Sequence, residues 1–408
     1  MAKEIVIVID PGHGGTEGEA TDGASYHGIT ERHINMTTAK AMYEELSSYD
    51  GVTVYLTHDS ADTKMSLKER AEFAKSVNAD YLISIHYNAS EEHLYYGSEV
   101  WIPSTGLHYA EGYQLGSIIL EEFSHMGLLN RGVKTKVNES GSDYYGVIRE
   151  CEKLGINGII VEHCYLDHDN DSSYRDEEED YVGFGIADAT SVAKFLGLSS
   201  SETGADYSNY VNVEVPIPET VMYQDLTPPN QCVIQLENEP QETGVIDLVI
   251  RAYDEDSALL YYSYSLDGGN TFSHLIPWME TKKEHVTHVR LSDITDSEVN
   301  IVVKVYNQYN LDTSSEPLFV SFSMDEDKNQ LENNELKQNE AGNNAMENTK
   351  DFKEQETIST EVSSIKKAES FSLTSNIPIP SIIAIVLFFV LMVVMTLKIV
   401  FKKRRHKR

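Results

Sequence analysis

Cysteine is scarce in this chain: Cys151, Cys164 and Cys232 are the three in 408 residues. An odd, sparse set without CxxC spacing argues against a disulfide framework and against a cysteine-based zinc site. Cys164, two positions after Glu162 at the end of an apolar run, reads as a small residue rather than a nucleophile. Basic residues are few as well. Thirty-two Lys and Arg against 66 Asp and Glu leave a formal net charge of -34. Such a surface has little with which to neutralise phosphates, which argues against nucleic acid as a partner. The glycine-rich segment after the first apolar run fits neither GxGxxG nor GxxxxGK[ST], the spacings of phosphate cradles. No internal repeats are evident. The start, Met-Ala-Lys-Glu, shows no basic n-region, apolar h-region or cleavage site.

What is present divides into blocks. About 40% of residues are apolar, and the length suits two domains plus tails. Residues 4–9 are almost wholly apolar and β-branched, as in a strand covered on both faces. Similar runs follow at 52–57, 81–86, 98–102 and 158–162, separated by helical patterns at 31–48, 66–77, 106–126 and 182–196. The alternation predicts an α/β domain over 1–198, with a central, mostly parallel sheet flanked by helices. Chemistry in such folds gathers at the carboxyl ends of strands.

A Ser, Glu and Pro-rich linker is expected at 199–230. Short alternating runs at 233–236, 244–253, 260–266, 286–291 and 300–306 predict a small all-β immunoglobulin-like or fibronectin-like sandwich over 231–324. Asp267-Gly268-Gly269-Asn270 supplies a hairpin signal within it. Residues 325–376, rich in Asn, Gln, Glu, Lys and Ser, bury too little surface to order and predict a disordered stalk. Residues 377–397 carry no charge, and 21 residues at a helical rise match a bilayer core of about 30 Å. They are expected to form one transmembrane helix. The basic tail at 398–408 is then cytoplasmic and the rest lies outside, by the positive-inside rule. The expected location is therefore the cell membrane, single-pass, with the first domain facing out. The start of the chain does not explain how that domain gets there.

Four residues stand out in the first domain. Asp10-Pro11-Gly12-His13-Gly14-Gly15 follows the first strand, and its glycines let the backbone turn tightly while presenting His13. Glu31 opens the first helix, His86 ends another strand, and Glu162 ends the run 158–162. A carboxylate at the end of a buried strand is costly unless paired or bound to a metal. Two imidazoles and a carboxylate supply three protein ligands for zinc with a fourth position open, and a second carboxylate remains to act on water.

In this region the chain resembles the zinc-dependent N-acetylmuramoyl-L-alanine amidases of the amidase-3 type, from about Glu4 to Leu198. Besides residues 10–15, the resemblance rests on Gly28-Ile29-Thr30-Glu31 with Asn35, on Leu67 with Arg70, and on the run 79–89 that contains His86. It continues through Gly97-Ser98-Glu99-Val100, Arg131-Gly132-Val133, and Ile160-Val161-Glu162 with Leu166 and Asn170. It implies one Zn2+ held by His13, Glu31 and His86, with Glu162 as the catalytic general base. The implied reaction cleaves the amide between N-acetylmuramic acid and L-alanine in peptidoglycan, with peptidoglycan and the membrane as partners. Asn88 and Arg131 are candidates to orient substrate. Two competing readings are a zinc hydrolase of another amide and a wall-binding module with degenerate catalysis.

The chain departs from the family at three places. Leu56-Thr57-His58-Asp59 stands where an arginine is common. His163 and Cys164 follow the glutamate where a small or apolar pair is usual, which alters the expected pocket and offers a third imidazole that would assist at the metal or compete for it. The loop 16–27 is long and carries Glu17, Glu19, Asp22 and His27, further residues of ligand type.

Overall fold

A computed structural model describes residues 4–16, 23–238, 240 and 244–322. The first part is built on six strands in the order β4-β1-β5-β8-β6-β7. These are β1 (Ile5–Pro11), β4 (Val52–Leu56), β5 (Tyr81–Asn88), β6 (Ser98–Trp101), β7 (Asn130–Lys134) and β8 (Asn157–Tyr165). A two-residue pair, β2 (Ser25–Tyr26) and β3 (Ile29–Thr30), leads into the first helix. The helices are α1 (Glu31–Leu46), α2 (Leu67–Ser76), α3 (Gly106–Met126), α4 (Gly146–Leu154) and α5 (Glu178–Leu196).

Strand alternation decides which helix covers which face. Ile7, Ile9, Ile83, Ile85, Ile159 and Val161 share a core with Ala39 and Met42 of α1, Leu115 and Phe123 of α3, and Phe184 and Val192 of α5. The alternate residues Val8, Leu82, Ile160 and Trp101 pack with Ala71 and Ala74 of α2 and Val147, Ile148 and Cys151 of α4. A sheet covered on both faces explains why its strands read as unbroken apolar runs. The helix ends are marked locally. Ser66 and Glu69 form a capping box at the start of α2, and α3, α4 and α5 stop at glycines 127, 155 and 197 in left-handed geometry.

The sheet is mixed rather than simply parallel. β6 runs antiparallel to β8, through Glu99↔Glu162, Val100↔Val161 and Trp101↔Ile160, while the other four junctions are parallel. No helix separates β5 from β6, so the chain turns back after residue 88 and its direction in the sheet reverses.

Beyond residue 198 the chain is strapped to the first domain rather than leaving it. Met222 bonds Ser104 and Thr135 through its backbone, and Gln224 exchanges hydrogen bonds with Val137. Two sheets follow. One is β13-β10-β9, from β9 (Gln231–Leu236), β10 (Ile246–Tyr253) and β13 (Glu284–Leu291). The other is β12-β11-β14-β15, with β16 on β14, from β11 (Leu259–Ser265), β12 (Ile276–Lys282), β14 (Glu298–Asn307), β15 (Asp312–Ser314) and β16 (Leu318–Ser321). Sequence periodicity missed β12, β15 and β16. Pro277 interrupts the pattern of β12, which it can occupy because β12 is an edge strand.

The sandwich docks on the β7 edge. Leu260, Tyr261, Leu275 and Tyr306 cluster with Tyr96. A side chain at Gly132, whose φ is +91°, would meet Gln308 Nε2 at 1.6 Å. Among the described residues no helix is long and apolar enough to cross a membrane. The expected stalk, membrane helix and basic tail, residues 325–408, lie outside the described residues.

Candidate metal centre

His13 leaves β1 with φ +65°, followed by Gly14 and Gly15 at +116° and +131°. A non-glycine residue in this region is strained and must be held. Arg70 does the holding. Its guanidinium donates to the carbonyls of Pro11 and His13 and forms a 2.6 Å ion pair with buried Asp10. Asp10 is fixed further by Thr57 and Ser84 hydroxyls at 2.7 and 2.8 Å. Asn35 Nδ2 donates to the Gly12 carbonyl at 3.0 Å. Gly12 is required for space, since a Cβ there would lie 2.3 Å from the His86 ring. His58, in the segment 56–59 where an arginine is common in the resembled family, bonds Thr57 beside this brace. Burial, with the Arg70 charge behind it, lowers its pKa and keeps it neutral.

Three of the expected residues meet. Glu31 Oε2 lies 3.1 Å from His13 Nε2, and Glu31 Oε1 lies 3.0 Å from His86 Nδ1. The imidazole rings are 4.8 Å apart, edge to face. One potential ligand atom from each residue falls within 4.8 Å of the others. Backbone amides of Ala24 and Tyr87 also donate to Glu31, at 2.9 and 3.2 Å. Burial opposes charge on Glu31, but hydrogen bonds and charge from both histidines hold it well below the usual carboxylate range. Burial lowers His86 despite Glu31, favouring neutral imidazole. An ionised carboxylate and a neutral imidazole are the forms that bind a metal.

Glu162 stands beside this cluster. Its backbone is in register with His86 on β5 and with Glu99 on β6, so the three side chains share one face. Its Oε2 is buried and has no hydrogen-bond partner among the described residues. Burial, then the Glu31 and Glu99 charges, push its pKa well above normal. A cleft of about 590 Å³, lined by His13, His86, Gly146 and Arg149 among others, opens at the histidines.

The remaining candidates lie elsewhere. His163 points to the opposite face, between the His86 carbonyl and Asp188 (2.8 Å each), stacked on Tyr87. It props the backbone of His86 and does not reach the cluster. His27 stacks on Tyr26, while Glu17, Glu19 and Asp22 lie outside the described residues. Cys164 is fully buried in the core, and burial raises its thiol far above normal. Asn88 is near the site, donating to Glu99 at 3.0 Å. Arg131, expected to orient substrate, is 0% exposed and engaged by Glu99, Tyr261 and Asn310 at 2.6–2.9 Å. The reason is the docked sandwich, which covers the edge where Arg131 would otherwise face solvent. Sequence reasoning missed the role of Glu99, which accepts from Asn88, Trp101, Arg131 and Lys134. A charge inside the run 98–102 was the available signal.

Residues 7–194 match the sequence profile of a family described as N-acetylmuramoyl-L-alanine amidase. This region is an amidase domain of that family. The chain is similar to the N-acetylmuramoyl-L-alanine amidase CwlM of Bacillus licheniformis, with 29% identity over 204 residues, 48% of this chain and 71% of the relative. It is also similar to the amidase LytC of Bacillus subtilis (strain 168), at 30% identity over 168 residues. That match covers 41% of this chain but 30% of LytC. Among solved structures, Cwp6 from Clostridium difficile aligns at 29% identity and a TM-score of 0.44, covering 48% of this chain and 30% of Cwp6. The amidase profile stops before the strap and the sandwich.

Proposed function

We propose that the amidase domain is a zinc hydrolase that cleaves the amide between N-acetylmuramic acid and L-alanine in peptidoglycan. His13, Glu31 and His86 would hold the zinc, a donor set that leaves room for water and substrate. When bound, the ion supplies Lewis acidity toward water and the amide carbonyl. The chain's own residues do the rest. Glu162 accepts a proton at Oε2 from the attacking water and returns it to the departing L-alanine amine. Arg70 and Asp10 hold the His13 loop in place, and His163 holds the His86 backbone.

The observation that carries this reading is the unpartnered, buried Glu162 Oε2 beside a His-Glu-His cluster. Zinc content and stem-peptide release from sacculi should be measured on Glu162→Gln. Metal retained with release lost is the expected result; release at the normal rate removes Glu162 from the mechanism. From sequence alone we also propose that residues 377–397 anchor the enzyme with this domain outside the membrane. Protease shaving of intact cells should then remove the domain, and full protection would place it inside.

A further inference from the structure

On the same sheet face as Glu162, a second cavity of about 290 Å³ is built from three parts of the chain. Glu99, Trp101, Lys134 and Lys136 come from β6, β7 and the segment after it, Asp225 from the strap, and Tyr309 from the sandwich. The amidase family profile covers only the first of these parts.

Both carboxylates in its wall are already engaged. Glu99 accepts from four donors, and Asp225 accepts from Thr227, Ser257 and Asn307. The cations are in excess once Arg131, directly behind Glu99, is included. Lys134 shares Glu99 with Arg131, its Nζ 2.7 Å from Glu99 Oε2. Lys136 has no carboxylate partner among the described residues, and its ammonium rests 4.1 Å over the Tyr144 ring. Burial draws the pKa of Lys134 down to about 8 despite Glu99, which leaves Lys136 as the cation of this wall least engaged by carboxylates. Trp101 and Tyr309 form apolar sides, with Lys134 set 5.5 and 5.7 Å from their rings.

The position relative to Glu162 selects a ligand. Lys134 pairs with Trp101 on β6 and Trp101 with Ile160 on β8, so Lys134 lies two strand spacings across and two residues along from Glu162, roughly 12 Å. An extended peptide advances about 3.3 Å per residue, so this spans roughly three to four residues. We propose that the cavity receives a free carboxylate on the third or fourth residue of the stem peptide, counted from the scissile amide, with Lys136 as its principal contact. This inference rests on the muramoyl-peptide reading of the cleft.

Calorimetry separates the two ideas. Zinc-loaded full-length Glu162→Gln is titrated with N-acetylmuramoyl tetrapeptides carrying either a carboxylate or a carboxamide at residue three or four. The expected result is about tenfold tighter binding of one carboxylate form, the size of one charge-assisted hydrogen bond. Lys136→Met in the same background should reduce that preference to within about twofold, Lys136→Arg should restore it, and Tyr309→Ala should weaken it. Equal binding of acid and amide forms overturns the inference, as does a preference that survives Lys136→Met. Turnover of the same peptides by the wild-type chain tests the hydrolase reading on its own. Hydrolysis without an acid preference leaves that reading intact and rejects the cavity, whereas selective binding without hydrolysis does the reverse.

Discussion

Two carboxylates face each other across adjacent strands of one sheet and have opposite fates. Glu99 on β6 is bonded by an asparagine, an indole, a guanidinium and an ammonium. Burial works against its charge, but Lys134 and Arg131 hold it at about 2. Glu162, its register partner on β8, has a buried oxygen with no such bond and is pushed well above its ordinary value. Position in a strand does not separate them. The partners do, and those of Glu99 are fixed in turn by the sandwich, through Tyr261 and Asn310 on Arg131. A buried carboxylate with every lone pair engaged reads as structural, and one left unsatisfied beside a metal-type cluster is a candidate for chemistry.

The sharpest way to break this comparison is Glu162→Gln. It should lower turnover by on the order of 10²–10⁴-fold, measured as release of stem peptides, without lowering the melting temperature. A variant that keeps activity but unfolds would make Glu162 the structural member. Next in size, Arg131→Met should cost about 3 kcal/mol in denaturant unfolding, because Glu99 loses a buried charge partner while Tyr261 and Asn310 lose theirs. A change within 0.5 kcal/mol would mean that the latch contributes nothing.

The pH dependence gives a finer test. Glu99 is depressed in the folded state, so its stabilisation is present above the unfolded value of 4.5 and is lost as pH falls toward about 2. The stability difference between wild type and Glu99→Gln should therefore shrink across that window. A gap that stays constant would show that Glu99 does not titrate with folding. The smallest effect expected is from Gly132→Ala, at about 1 kcal/mol, because φ +91° disfavours alanine and the new methyl meets Gln308. Adding Gln308→Ala should remove the clash but leave the backbone strain. Full recovery of the melting temperature in the double variant would assign the whole effect to the side chain.

Much of the His13, Glu31 and His86 cluster was legible because each element carries its own mark. The turn glycines around His13, a glutamate opening α1 and a histidine ending an apolar run need only local geometry to be read. The strand runs that carry them were equally plain, since both faces of that sheet are buried. The fate of Arg131 was not legible. Its neighbourhood at 131–133 looks like a surface substrate contact until residues 130 positions away cover it. His163 was ambiguous for a related reason, since only the strand's alternation and Asp188 in α5 show which way it faces.

By itself the sequence determined that an α/β domain comes first, that short β runs follow, and which four residues have metal and proton chemistry in reach. These depend on period, turn residues and side-chain type, which are local properties. Only the tertiary structure decided that the sandwich closes the β7 edge, that β6 reverses in the sheet, and that Glu99 is satisfied while Glu162 is not. Those outcomes depend on contacts between distant segments, and the fate of a buried charge is set by the partners that the fold brings within about 3 Å.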